Sequence, residues 1–186
     1  WKREPGVRFH GPGMVDPDIV PLTDGGFRLY YTAATLVKPK DGTNEPGWVD
    51  VNVKSALSTD GLSFTSEPDI RLQHAGVSST LQLPDGRTRM YFHTRADLHA
   101  GSFAPRPAAR ILSAISPDGL SFTLESGVRI DATPAPGRRF LGADSPSVMQ
   151  QSDGSTWMLL STVREPWFPV NALVGWWADH HPRDAP

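Results

Sequence analysis

Apolar and aromatic residues in this chain come in short runs, and each run ends at a step carrying Gly, Pro or Asp. No stretch repeats its apolar positions at the spacing of a helical face. The runs predict strands, and they recur. Ile19-Val20-Pro21-Leu22, an Asp24-Gly25-Gly26 step and Phe27-Arg28-Leu29-Tyr30-Tyr31-Thr32 return as Thr80-Leu81-Gln82-Leu83, Asp85-Gly86 and Arg89-Met90-Tyr91-Phe92-His93-Thr94. They return again as Ser147-Val148-Met149-Gln150, Asp153-Gly154 and Thr156-Trp157-Met158-Leu159-Leu160-Ser161. An Asp-Gly or Gly-Gly step between two such runs predicts a hairpin whose two turn residues both take positive φ.

A second motif is written twice, as Lys54-Ser55-Ala56-Leu57-Ser58-Thr59-Asp60-Gly61-Leu62-Ser63-Phe64-Thr65 and as Leu112-Ser113-Ala114-Ile115-Ser116-Pro117-Asp118-Gly119-Leu120-Ser121-Phe122-Thr123. Two hairpins per repeat make four strands in roughly 60 residues. The repeats run approximately over 14–73, 74–131 and 140–186, within one domain covering 1–186. Stacked units of this size predict an all-β fold, a β-propeller of four-stranded antiparallel blades. Such rings close with about four to eight blades, so this chain is expected to be part of a longer propeller. Self-association that completes the ring is the alternative, because an open ring exposes sheet edges.

Composition narrows the partners. The formal charge of −2 leaves no basic footprint for nucleic acid. The apolar runs are far shorter than the roughly 20 residues a membrane helix needs. With no Cys, disulfides and thiolate metal sites are excluded. The compartment stays open, with export or the periplasm favoured over the cytoplasm. Lys38 to Trp48 and Ala96 to Arg106 are the least patterned stretches, and both are expected as loops at one end of the blades.

That same end gathers residues preceding strand one and following strand two. The set is Asp16 and Asp18 with Thr32 and Thr35, His74 with His93 and Arg95, and Asp144 with Arg164 and Glu165. Acids beside histidines and arginines at one opening suit a polar ligand such as a sugar. Paired carboxylates are what glycosidic bond hydrolysis requires, one to protonate the leaving oxygen and one to activate water or attack the anomeric carbon.

Asp16-Pro17-Asp18-Ile19, followed by Asp24-Gly25-Gly26 and Leu29-Tyr30-Tyr31-Thr32, resembles the five-bladed propellers of the arabinanase, levansucrase and invertase superfamily, glycoside hydrolase family 43 above all. The resemblance implies about three of five blades, a carbohydrate substrate and hydrolysis of a glycosidic bond. It implies Asp16 as general base and Asp144 as the carboxylate that orients the acid and tunes its pKa. The implied mechanism is inverting, and the implied acid is a Glu on a fourth blade beyond this chain. A calcium ion is allowed by the resemblance alone, since no ligand set in the sequence argues for it; no two histidines have metal-ligand spacing, and no other cofactor is expected. The copies differ at the critical position. Aligning Pro17-Asp18-Ile19 on Pro146-Ser147-Val148 puts Ser145 opposite Asp16, as though the third copy carried an extra residue, and His74-Ala75-Gly76-Val77-Ser78-Ser79 carries no carboxylate.

Plainer readings stand beside these. Asp18 reads as a solvated or turn-bonded acid, and Glu165 as a surface loop acid or a substitute general acid. Arg95 and Arg164 would clamp carboxylates or hydroxyls of a ligand. His93 reads as a ligand contact or as a half-buried histidine bonded to backbone. The two Ser-x-Asp-Gly turns resemble the Asp-box of sialidases, a structural turn. Two rival functions remain open: a non-catalytic propeller binding a glycan or a protein, and a mannoside phosphorylase holding phosphate on Arg95 and Arg164.

Overall fold

A computed structural model describes residues 4–11, 13–37, 47–94, 110–131 and 140–164. Within them the chain is all-β, without a helix, and every strand pairing is antiparallel. The first sheet runs β1 (Met14–Pro21), β2 (Phe27–Val37), β3 (Gly47–Ser58) and β4 (Thr65–Ser66), with β5 (Leu72–Gln73) also on β3. The second runs β6 (Gly76–Gln82), β7 (Thr88–Thr94), β8 (Arg110–Ser116) and β9 (Thr123–Leu124). The third pairs β10 (Phe140–Gln150) with β11 (Thr156–Arg164). The first strand of each hairpin begins earlier than the apolar run alone predicts. Asp16 and Asp144 therefore lie inside strands and not ahead of them.

All three first hairpins turn the same way. Gly25, Gly86 and Gly154 each donate N–H to the carbonyl three residues back, on Leu22, Leu83 and Gln151. Only the glycine takes positive φ (89°, 85° and 85°). The preceding Asp instead accepts a backbone N–H two residues on: Asp24 from Gly26, Asp85 from Arg87 and Asp153 from Ser155. The expectation that both turn positions take positive φ is thereby corrected. The Asp side chain closes the turn from outside, an Asx device.

Apolar clusters lie between sheets. Val20, Tyr30, Val53 and Leu72 of the first sheet bury against Met90, Phe92 and Ala114 of the second. Leu81, Tyr91 and Ile111 of the second bury against Ala143, Met158 and Leu160 of the third. On the far side of the first sheet, Leu29, Tyr31 and Ala56 pack with Met14 of β1 and are covered by Phe9 from the N-terminal stretch, with the Phe9 and Tyr31 rings 5.2 Å apart.

The first strands are also stitched to one another. β6 lies between β1 and β10. Asp18 Oδ2 accepts the Thr80 backbone N–H at 2.7 Å and also the Thr80 hydroxyl. One module on, Ser79 Oγ accepts the Val148 backbone N–H at 3.1 Å. Asp18 and Ser79 hold the same register place, opposite Tyr30 and Tyr91, and so do Thr80 and Val148, opposite Met90 and Met158. The bond therefore repeats with the module. Asp18 is not a solvated or turn-bonded acid but the acceptor that docks the second sheet. Burial raises its carboxyl pKa above the ordinary value, while both Thr80 bonds pull it down.

The outer strands carry a second repeated bond set. Arg28 grips Glu67 with two N–H groups, at 2.9 and 3.1 Å. Ser55 donates to the same carboxylate, and Arg71 Nε donates to Ser55. Arg89, Glu125, Ser113 and Arg129 repeat this arrangement in the second sheet. Arg28 also reaches the Asp118 carbonyl, and the Tyr30 hydroxyl donates to the Gly119 carbonyl at 2.7 Å. The second sheet's Ser-x-Asp-Gly turn is thus hooked onto the first sheet. Burial pushes Tyr30 up to about 12, so it is a permanent donor. A Cβ at Gly119 would lie 2.5 Å from Arg28 Nη1, and the residue has φ +70°. Within the turn, the Leu120 and Ser121 amides hold Asp118 down at about 2.

Removing the docking acceptor tests this junction. Asp18→Ala leaves the buried Thr80 amide and hydroxyl without an acceptor and is expected to cost about 1–3 kcal/mol of unfolding free energy. Asp18→Asn keeps an acceptor oxygen and should stay near wild type in the same urea titration. Equal losses in both variants would contradict the assignment.

Candidate active site

The site is made by three identical kinks. Between Val15 and Asp18, Gly76 and Ser79, and Asp144 and Ser147, the first strand holds one residue more than its partner. These are β-bulges, which bend a strand and re-aim its side chains. In each, the second residue is left-handed: Asp16 at φ 53°, Val77 at 49° and Ser145 at 48°. A valine there is unfavourable by sterics, so the surrounding bonds must impose the kink. Thr32 shows how, because its Oγ1 accepts the Val77 N–H at 2.8 Å.

These registers refine the alignment of the copies. Ser145 is the counterpart of Asp16, as the sequence alignment suggests, but the third bulge has no extra residue. Asp144 stands one place earlier, opposite Ser161, where the first copy has Val15 opposite Thr32 and the second has Gly76 opposite His93. The second copy could not carry an acid there. A Cβ at Gly76 would already lie 3.1 Å from Val51 Cγ1 and 3.2 Å from Thr32 Cγ2.

Asp16, Thr32, His93 and Asp144 come together beside these kinks. Burial is the largest influence on the Asp16 carboxyl and raises its pKa; the Thr32 hydroxyl lowers it, the Asp144 charge raises it and His93 lowers it, and the net shift is upward. Protein crowds the carboxyl on one side even though the residue is exposed. Thr32 accepts from Val77, so its own proton is free to be given to Asp16. Asp144 Oδ1 accepts the Ser145 N–H at 2.7 Å and lies 2.9 Å from His93 Nδ1. The imidazole is buried and turned off the hydrogen-bond line, and its Nδ1 makes no hydrogen bond. His93 is thus not bonded to backbone through that nitrogen; it faces a carboxylate from the next sheet.

Arg95 and Glu165 lie outside the described residues, and Arg164 ends β11 opposite Phe140. His74 precedes β6 and takes part through its backbone, accepting the Thr94 hydroxyl and donating N–H to Asn52. Thr32 was visible as a member of the opening, but nothing local marked it as the hydroxyl that touches both Val77 and Asp16. Among the described residues no three His, Cys, Asp or Glu side chains are arranged to hold a metal ion, so the calcium allowed by resemblance has no ligand set there.

No protein-family model and no curated protein matches the chain. Solved structures do. The chain is similar to a thermostable family-43 glycoside hydrolase at 15% identity and a TM-score of 0.58, over 83% of this chain and 50% of that one. It is similar to Zg3597, a family 117 glycoside hydrolase of the marine bacterium Zobellia galactanivorans, at 14% identity and a TM-score of 0.57, over 86% and 57%. The shared fold is that of the propeller glycosidases. An N-acetylgalactosamine deacetylase from F. plautii, solved with blood group B trisaccharide, is also similar, at 16% identity and a TM-score of 0.55 over 84% and 43%. At such identities the likeness concerns fold alone. The chain spans about half the length of these structures.

A raised carboxyl pKa carries a stability signature. The folded-state value of Asp16 exceeds the unfolded 3.8, so ionised Asp16 disfavours the fold above that pH and the penalty vanishes below it. Asp16→Asn, which also suits a left-handed position, is expected to be slightly more stable than wild type near neutral pH. The gain should be about 0.5 kcal/mol or less, because the carboxyl is open to water. Urea titrations below pH 3.8 should show the two proteins level, and a destabilised variant at neutral pH would contradict the reading.

Proposed function

We propose that this chain is about three blades of a five-bladed propeller that hydrolyses glycosidic bonds, with Asp16 as general base and Asp144 as the carboxylate that tunes the partner acid. The observation that carries the reading is the meeting of Asp16 and Asp144, 128 residues apart in sequence, at one opening where each acts on the other's charge. A carboxylate with a raised pKa is a stronger base, which suits it to take a proton from water. The Thr32 hydroxyl donates to this carboxylate. In an inverting reaction the acid stands roughly 6.5–9.5 Å from the base to admit that water. That acid would be Glu165 or a Glu on a further blade. Arg95, Arg164 and Glu165 would line the sugar site.

The outer face of the third sheet supports a further blade. Ser147, Met149 and Leu159 hold the register places of Asp18, Val20 and Tyr30, and of Ser79, Leu81 and Tyr91, the residues on which the next module docks. Met149 is 41% exposed. A second reading, a propeller that binds glycans without cleaving them, is favoured by one fact: among the described residues, the charges acting on Asp16 are those of Asp144 and His93, with no Glu among them.

Activated substrates separate the two. A dinitrophenyl xyloside or arabinoside needs no acid to expel its leaving group, so residues 1–186 should turn it over while unactivated aryl glycosides react little. Asp16→Asn should lower kcat on the activated substrate by about 10²–10⁴-fold. Turnover indifferent to Asp16→Asn would contradict the base assignment. Glycan binding that survives Asp16→Ala and Asp144→Ala, with no turnover at all, would establish the binding module instead.

A further inference from the structure

His93 occupies the place that Thr32 holds one module earlier, on the second strand of its hairpin and facing the bulge of the next sheet. Thr32 holds its neighbouring bulge through the Val77 amide. His93 instead meets the Asp144 carboxylate, with Nδ1 2.9 Å from Oδ1. An unprotonated nitrogen 2.9 Å from an anionic oxygen is repulsive even off the hydrogen-bond line, so a proton belongs on Nδ1. This excludes the neutral tautomer protonated only at Nε2. It leaves two states, neutral with Nδ1–H or imidazolium, which differ by one proton at Nε2.

We propose that His93 is a positioning residue: its protonated Nδ1 draws the Asp144 carboxylate beside Asp16 by electrostatic attraction, and the charge on its ring sets how strongly Asp144 acts on Asp16. The assignment deepens the proposed hydrolase reading and rests on it for its use, but not for its geometry. When the ring is cationic it offsets Asp144, and Asp16 gives up its proton more readily. When the ring is neutral, the Asp144 charge is fully felt and Asp16 holds its proton more tightly. The upward influence of Asp144 on Asp16 and the downward influence of His93 have these signs. Other charged groups on the elements around β7 are engaged elsewhere: Arg89 with Glu125, Arg110 with Asp131. Among the described residues, His74, ahead of β6, and Asp18, bonded to Thr80, also lie on this side.

The tautomer can be read in wild-type protein from ¹⁵N shifts and long-range couplings of the His93 ring. In its neutral form the ring should carry its proton on Nδ1, and a ring protonated only on Nε2 would overturn the proposal. Carboxyl ¹³C titrations supply the second arm. In His93→Gln, which can still donate to Asp144 but cannot charge, the Asp16 midpoint should rise by about 0.5 unit or more, as expected for loss of one nearby charge. In Asp144→Asn the midpoint should fall. A midpoint unmoved in a folded His93→Gln protein would overturn the proposal. These readouts need no turnover, so their success alongside inert dinitrophenyl glycosides would refute the hydrolase reading while leaving the role of His93 intact.

Discussion

Each first strand must place one residue in the left-handed region, and the opening depends on that constraint. The kinks at Asp16, Val77 and Ser145 each leave one residue of the first strand without a partner and so bend it. Without them, period-two alternation would send Asp144 and its neighbours along the sheet faces, where Ala143 is already buried against the second sheet. Side chains of adjacent modules keep the kinks in place: Thr32 on the Val77 amide, His93 against Asp144. Site geometry and sheet stacking are therefore one set of interactions. A change that separates the sheets also relaxes the acids.

Stacking itself is secured at two radii. Near the opening, a side-chain oxygen on one first strand takes an amide from the next, Asp18 from Thr80 and Ser79 from Val148. Farther out, the Arg28–Glu67 pair with Ser55 and Arg71 braces one sheet, and Arg28 with Tyr30 reaches the Asp118-Gly119 turn of the next. Arg28 is 8% exposed, so its charge is tolerable only because several acceptors satisfy it. Such a pair specifies how sheets dock more than it adds net stability. The apolar clusters between sheets supply the bulk of the attraction.

Much of this was legible in the residues. The Asp-Gly steps located the hairpins, and the recurrence of two motifs at nearly constant spacing indicated stacked sheets. The bulge was not legible, because three unlike residues, Asp, Val and Ser, take the left-handed place and none is glycine. The alignment of Asp16 with Ser145 was right in register, yet read as an insertion for want of that kink. Asp18 was misread because its partner, Thr80, is 62 residues away in sequence. The Arg–Glu–Ser–Arg brace was missed although its signal was present: Arg28 and Arg89, Ser55 and Ser113, Glu67 and Glu125, Arg71 and Arg129 all recur in step with the repeat.

The central claim is that the first and third sheets bring Asp16 and Asp144 to one opening. The chain has no cysteine, so paired Asp16→Cys and Asp144→Cys substitutions create a unique target for a bifunctional maleimide of short span. Rapid intramolecular cross-linking is predicted in the folded protein. It should be lost in denaturant, and absent when Asp24→Cys, at the far end of the same hairpin, replaces Asp16→Cys. Cross-linking of the Asp16 pair no faster than that of the Asp24 pair would contradict the account.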